Sequence, residues 1–366
     1  MAKSRIDSLD AVRGLVMILM AIDHVRVYAG VPAGGPTAGI FFTRWITHFV
    51  APTFVFFAGT AAWLHGRKVA DLSRFLVIRG LWLIALELTV IRIFWTFNFD
   101  FAHYVLAGVI WAIGWSMIVL AAARYLPTKI VAVLAVAIIA LHNLIPPMRD
   151  PSALLRILYY GGGIGPLAIL YVIVPWAGVM MAGYAFGSVM ELPPERRRAI
   201  AFRIGSLATA LFVVLRWLDV YGDPRPWRAG HLGPAFVRFL NTTKYPASLL
   251  FLLMTLGPIL LLLAWAESWD SKVLTTFGRV PMFYYLLHIP LIHAAACIVS
   301  LIRERRVDPW LFGNHPLDPP PVPPGYQWSL GLLYLVWAIC VALLFVPCRW
   351  YARVRATSSS KWLRYL

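Results

Sequence analysis

Apolar runs of roughly 20 residues recur from one end of this chain to the other, and that feature restricts what it can fold into. A run of that length crosses the hydrocarbon core of a bilayer, where every backbone N–H and C=O must be satisfied internally. The runs lie near 11 to 30, 48 to 65, 74 to 95, 104 to 123, 129 to 145, 165 to 189, 199 to 217, 247 to 266, 281 to 302 and 328 to 348. The expected fold is therefore all-α: a polytopic integral membrane helix bundle of about ten transmembrane helices, occupying 1–366 as a single domain. The balance of residues agrees, since 60% are hydrophobic and 13% charged, where a soluble domain carries about 25% charged residues.

The formal net charge of +17 would suit a nucleic-acid binder if the cations formed a patch. They lie instead between the apolar runs, as in Arg196-Arg197-Arg198 and the tail from Arg349 to Arg364, which excludes nucleic acid and points to anionic lipid headgroups. With the N-terminus inside, the inner connections carry more Lys and Arg than the outer ones, so both termini are expected in the cytoplasm of a multi-pass protein. Two outer loops, from Arg216 to Lys244 and from Arg303 to Arg306, are themselves basic enough to handle an anionic partner. Lys3 and Arg5 before an apolar stretch resemble a signal peptide, but Arg13, Asp23, His24 and Arg26 mark it as a retained first helix. Cys297, Cys340 and Cys348 have no metal-ligand spacing, and no metal is expected.

An ionisable group at membrane depth costs several kcal/mol unless it faces protein or water, so such groups are the functional candidates. The first run is densest in them. In "SLDAVRGLVMILMAIDHVRVYAG", Asp10, Arg13, Met17, Met20 and His24 recur at three- and four-residue steps along one face. Eleven residues return to within about 20° of the starting direction and rise about 16 Å, which suits an elongated ligand held by a cation at one end and worked on by an imidazole at the other. Asp23 precedes His24, and the second run opens with Arg44 and His48 one turn apart. A lone His in a bundle is usually a hydrogen-bonded packing residue; three such neighbours argue for chemistry.

Glu87 lies inside an otherwise apolar run and is expected to pair with an Arg such as Arg13 or Arg92. Asp100 and His103 read as a solvated outer connection. In "FLNTTKYPASLLFLLMTLGP", Lys244 and Tyr245 stand at a helix entry with Pro246 at its first turn, an end that can bind anions. In "FGRVPMFYYLLHIPLIH", Arg279 stands at an inner helix start, Tyr284 and His288 share a face, and His293 is turned about 140° away from His288.

The segments "SLDAVRGLVMILMAIDH", "RWITHFVAPTFVFFAGT", "RGLWLIALELTV", "FLNTTKYPASLLFLLMTLGP" and "GRVPMFYYLLHIPLIH" together resemble bacterial relatives of heparan-α-glucosaminide N-acetyltransferase, within a wider transmembrane acyltransferase superfamily. That superfamily is marked by an Arg, ten residues, then a His in its first helix, a spacing Arg13 and His24 fit. The resemblance implies transfer of an acetyl group from cytosolic acetyl-CoA, as donor substrate, to a sugar or glycan hydroxyl or amine on the far side of a bacterial cytoplasmic membrane. It implies His24 as the base, with Asp23 beside it and His48 in reserve, and Arg13, Arg279, Lys244, Tyr245 and His288 around the donor. His24 falls where the lysosomal enzyme has Asn, and the loop "GVPAGGPTAG" has no His where that enzyme's catalytic His lies, so the placement on His24 rests on the superfamily spacing. Two rivals stand: a proton-coupled secondary transporter or permease, for which buried His, Glu and Arg are equally expected, and a non-catalytic partner in glycan assembly. A homodimer is compatible with the sequence.

Overall fold

The computed structural model describes residues 6–229, 233–317 and 319–358. Lys3, Arg5 and the tail beyond 358 lie outside the described residues. The protein is an all-α membrane protein: every apolar run contains a helix, and five helices are long and apolar enough to cross a bilayer, Ala38–Gly66, Pro194–Leu218, Leu249–Ala266, Pro281–Glu304 and Leu330–Thr357. Helices of eight residues or more are labelled α1 (Asp7–Tyr28), α2 (Ala38–Gly66, with a tightened turn at Ile46–Phe49), α3 (72–96), α4 (Val109–Ala123), α5 (Thr128–Leu144), α6 (Val174–Phe186), α7 (Pro194–Leu218), α8 (Leu249–Ala266), α9 (Lys272–Arg279), α10 (Pro281–Glu304) and α11 (Leu330–Thr357). Local chemistry sets several starts: the Ser271 and Ser329 hydroxyls accept from the N–H groups of Leu274 and Leu332, and Asp71 accepts from Arg74, each satisfying a helix donor that has no intrahelical partner.

The chain forms two compact units, one of 1–50, 91–99 and 266–366, the other of 51–90 and 100–265. In the first, α1 packs against α9, α10 and α11. In the second, α3 lies along α4, and α5 and α4 flank α6. Lipid is as apolar as a leucine, so helices in a membrane gain little from burying leucines and gain instead from close backbone approach over small residues. Reciprocal glycine contacts occur in both units. A Cβ on Gly80 would come 2.6 Å from the Gly114 carbonyl oxygen, and one on Gly114 equally close to that of Gly80. Gly59 and Gly183 face the backbone of α6 and α2 in the same way, as do Gly14 and Gly278 on α9 and α1.

Three details of the sequence reading need correction. The run expected at 165 to 189 is helical only over α6, because Gly161, Gly162 and Gly165 take positive φ and turn the preceding chain into a hairpin, β2 (Gly162–Ile164) and β3 (Leu167–Ile169). The run expected at 104 starts as β1 (Val105–Ala107), which pairs in parallel with β3, so α4 begins at Val109. Pro246 lies before α8 and not in its first turn, since the helix begins at Leu249.

The entry of α8 also explains much of the basic loop from Arg216 to Lys244. Arg216, 1% exposed, donates to the carbonyls of Arg225, Arg238, Phe239 and Asn241 and lies 4.0 Å from Asp223. Asp223 accepts from the Thr243 N–H (2.8 Å), the Thr243 hydroxyl (2.9 Å) and the Ser248 hydroxyl (2.7 Å). Asp223→Ala is therefore expected to cost roughly 3 to 5 kcal/mol, as loss of one partner from a buried ionic network does. A fall in melting temperature in detergent measures it, and a variant as stable as the parent would show the network to be dispensable.

Candidate functional site

The C-terminal part of α1 carries Asp23 and His24 into a cluster built wholly within the first unit. Asp23 sits between two guanidiniums: Arg26 Nε donates to one carboxylate oxygen (2.8 Å) and Arg44 Nη1 to the other (2.9 Å). Arg44 also donates to the Thr47 hydroxyl, and Arg26 to the Val31 carbonyl, so the acid ties α1, α2 and the start of the loop between them together. Both of its oxygens already accept charge-assisted bonds, which makes Asp23 an anchor of the backbone under His24. His48 is buried on the tightened turn of α2, packed against α1.

His24 meets a partner from α10. Its Nδ1 lies 2.6 Å from Nε2 of His288, with the rings stacked at 4.7 Å and Trp95 edge-on to His24 at 4.9 Å. His288 is fully buried, and its Nδ1 points at the carbonyl oxygens of Tyr285 (2.7 Å) and Tyr284 (3.2 Å). A carbonyl only accepts, so His288 Nδ1 carries a hydrogen, and in the neutral ring Nε2 is then a bare acceptor. The hydrogen between the rings consequently belongs to His24 Nδ1, which makes His24 Nε2 the lone-pair nitrogen of that ring. The Tyr284 ring stacks on His288 at 5.3 Å, as the four-residue spacing implied.

Further along α1, Tyr28 stacks on Trp95 (5.7 Å) and on His293 (4.7 Å), and Phe97 also stacks on His293 (3.8 Å). His293 Nδ1 faces the Phe94 carbonyl at 3.2 Å, away from the His24–His288 contact. Sequence reasoning missed the roles of Trp95 and Tyr28; only their aromatic character near a helix end pointed to them. Arg92, fully buried, donates to the Thr96 hydroxyl and to both the carbonyl and the side-chain oxygen of Asn98.

At the other end of α1, Arg13 donates to Asp10 (3.2 Å) and to the Gly278 carbonyl (3.2 Å). Arg279 ends α9 and does not begin α10; it lies 3.1 Å from Asp7 and 3.9 Å from Asp10, while Arg355 donates to its carbonyl. Arg13 and Arg279 therefore share a carboxylate, that of Asp10, and Arg355 donates to the backbone beside them. Lys244 and Tyr245 belong to the second unit, where the ammonium lies over the Tyr171 and Tyr245 rings at 5.8 and 5.3 Å. The anion held near the α8 entry is the chain's own Asp223.

Among the described residues, Glu87 pairs with no arginine. It opens a π-helical turn in α3 and accepts from the N–H groups of Ile110 (2.8 Å) and Trp111 (3.2 Å), where α4 begins and its dipole favours negative charge. His103 and Asp100 form an exposed pair at 2.8 Å, as expected of a solvated connection. Among the described residues, no group of three or more His, Cys, Asp or Glu side chains could hold a metal ion.

No curated protein matches the chain. The family model for heparan-alpha-glucosaminide N-acetyltransferase, catalytic, matches residues 5–219, well over half of the sequence, and contains Arg13, Asp23, His24 and His48 while ending before Arg279 and His288. The chain, with five helices long and apolar enough to cross a bilayer, belongs to this family of membrane acetyltransferases.

Proposed function

We propose that the protein moves an acetyl group from acetyl-CoA on the cytosolic side to a hydroxyl or amine of a sugar or glycan on the other side of a bacterial cytoplasmic membrane, with His24 as the base. In this reading the chain is one transmembrane acyltransferase domain of about ten crossings with both termini cytoplasmic. The observation that carries it is the His24–His288 contact, which leaves a lone pair on His24 Nε2. That nitrogen takes the proton of the acceptor O–H or N–H as the acceptor attacks the thioester carbon. The tetrahedral intermediate then collapses, the C–S bond breaks, and the departing thiolate takes the proton back from His24. Arg13 and Arg279, held in place by Asp10 and Asp7, supply cationic donors for the phosphates of the donor nucleotide about 16 Å from His24 along α1.

Acetyl-CoA binding to the purified protein in detergent tests this reading. A ligand of the folded state must raise the melting temperature at concentrations well above its dissociation constant. Arg13→Ala and Arg279→Ala should each weaken the binding by about tenfold to a hundredfold, the worth of a charge-assisted contact of roughly 1.5 to 3 kcal/mol. No thermal shift at millimolar acetyl-CoA, in folded protein, would sink the proposal and favour a proton-coupled carrier.

A further inference from the structure

We propose that the exposed face of α7 seats one anionic phospholipid, its phosphate held between Arg196 and Arg203 and its acyl chains lying along the apolar residues that follow. The helix has two opposed faces. Ala201, Gly205, Phe212 and Arg216 are buried, and Gly205 presses on α8, where a Cβ would come 2.8 Å from the Gly257 carbonyl oxygen. At about 100° per residue these four point one way, and Arg196, Arg203, Leu207 and Val214 point the opposite way. All of the second set are exposed.

Arg203 is the telling member of that stripe. Trp217 is exposed with the Arg228 guanidinium over its ring at 5.6 Å, and marks one bilayer surface, as amphipathic rings do. A hydrocarbon core of about 30 Å, counted back at about 1.5 Å per residue, ends near Arg197. Arg203 therefore lies about 9 Å inside that boundary, directed away from the protein. A cation at that depth is costly unless it reaches an anion. Among the described residues, Arg196, Arg198 and Arg203 have no partner in the chain. The nearby acids do not serve: Glu195 is turned about 100° from Arg196, and Glu191 pairs with Arg67 at 3.1 Å.

Helical side chains lean toward the N-terminus, so the long Arg203 side chain rises toward the level of Arg196. Their Cα atoms are about 10.5 Å apart along the axis, with only the methyl of Ala199 beside the gap. Two charge-assisted contacts of about 2.8 Å and the body of a phosphate fit that interval. Beyond Arg203 the same face presents Leu207, Leu211, Val214 and Leu218, all exposed. A molecule with a phosphate at one end and hydrocarbon below it satisfies both parts. A second copy of the chain does not, because a two-fold contact through this face would set Arg203 against its own counterpart with no carboxylate between them. Phosphatidylglycerol brings a net negative headgroup, whereas the ammonium of phosphatidylcholine would be repelled by the neighbouring guanidiniums.

Native mass spectrometry tests the seat, using the full chain purified in detergent, stripped of lipid and titrated with phosphatidylglycerol or with phosphatidylcholine of the same acyl chains. The parent should retain one phosphatidylglycerol at least about tenfold more tightly than phosphatidylcholine. Arg196→Ala and Arg203→Ala should each weaken that retention by about tenfold to a hundredfold, the worth of a charge-assisted contact. Arg203→Lys keeps the charge without the guanidinium fork and should fall between the parent and Arg203→Ala. Arg149→Ala removes an exposed cation from another loop and should bind as the parent does. Equal retention of the two lipids by the parent, or Arg203→Ala holding phosphatidylglycerol as tightly as the parent, would overturn the seat. Displacement of phosphatidylglycerol from the parent by millimolar inorganic phosphate would show that the arginines read phosphate alone, and would overturn the lipid as occupant. The comparison of the two lipids on the parent needs no variant, so it decides the matter even if a substitution disturbs folding.

Discussion

His24→Ala is expected to leave acetyl-CoA binding nearly intact and to lower turnover by roughly 10² to 10⁴, the usual worth of a positioned general base, or about 3 to 5.5 kcal/mol in the barrier. The split follows from position. His24 stands about 16 Å along α1 from the cluster of Arg13, Arg279 and Arg355, so removing its ring leaves the cations untouched. Steady-state turnover and donor titration on the same preparation separate the two effects. His48→Ala is the control, because His48 is buried on α2 against the same helix and is the other histidine of the matched segment within the first unit. If His48→Ala abolishes transfer while His24→Ala turns over near normally, the base is His48 and the superfamily spacing has misled. If His24→Ala also loses acetyl-CoA binding, the donor reaches α10 and the division of labour along α1 is wrong.

The class of fold was legible because membrane depth leaves a chain few options: a run of about 20 apolar residues has to be a helix, and each run contains one. Errors fell where glycine and proline act locally. The stretch "YYGGGIGPLAILYV" is apolar enough to read as the start of a span, yet the positive φ of Gly161, Gly162 and Gly165 makes it a hairpin whose second strand pairs with β1. Hydropathy averages over such residues and cannot register a backbone turn.

The site was legible only along single helices. The 11-residue interval from Arg13 to His24 and the four-residue step from Tyr284 to His288 follow from helical geometry, and the structure keeps both on unbroken helices. What joins α1 to α10 did not follow, because nothing in sequence separation says that residues 24 and 288 meet. Glu87 shows the same gap from the other side. A buried carboxyl needs a partner, but here the partner is the start of α4, a feature of the backbone with no residue type to mark it. The sequence offers Glu87 as a partner for Arg13 and names none for Arg279, whereas in the structure Asp10 pairs with the first and Asp7 with the second.

Gly14→Leu and Gly278→Leu are expected to prevent the first unit from folding, and Gly14→Ala to destabilise it by about 1 to 3 kcal/mol or more, the range for overpacking. The two glycines face one another where α1 crosses α9. A Cβ on Gly14 would run into the Leu274 carbonyl, and one on Gly278 into that of Asp10. In each case the obstacle is backbone, which cannot rotate aside as a side-chain end can, so relief requires one helix to move. The same crossing sets the Arg13 contacts, since Arg13 precedes Gly14 and donates to the Gly278 carbonyl. Movement there should therefore weaken acetyl-CoA binding along with the fold, although neither glycine has a side chain to touch the ligand. Gly163→Ala serves as the comparison, because a Cβ at that position meets nothing within 4 Å. Melting temperature and the monodisperse fraction in detergent read the outcome. A Gly14→Ala protein that melts with the Gly163→Ala protein and binds acetyl-CoA as the parent does would show that α1 and α9 are not held by backbone approach at this crossing, and that Arg13 owes its position to Asp10 alone.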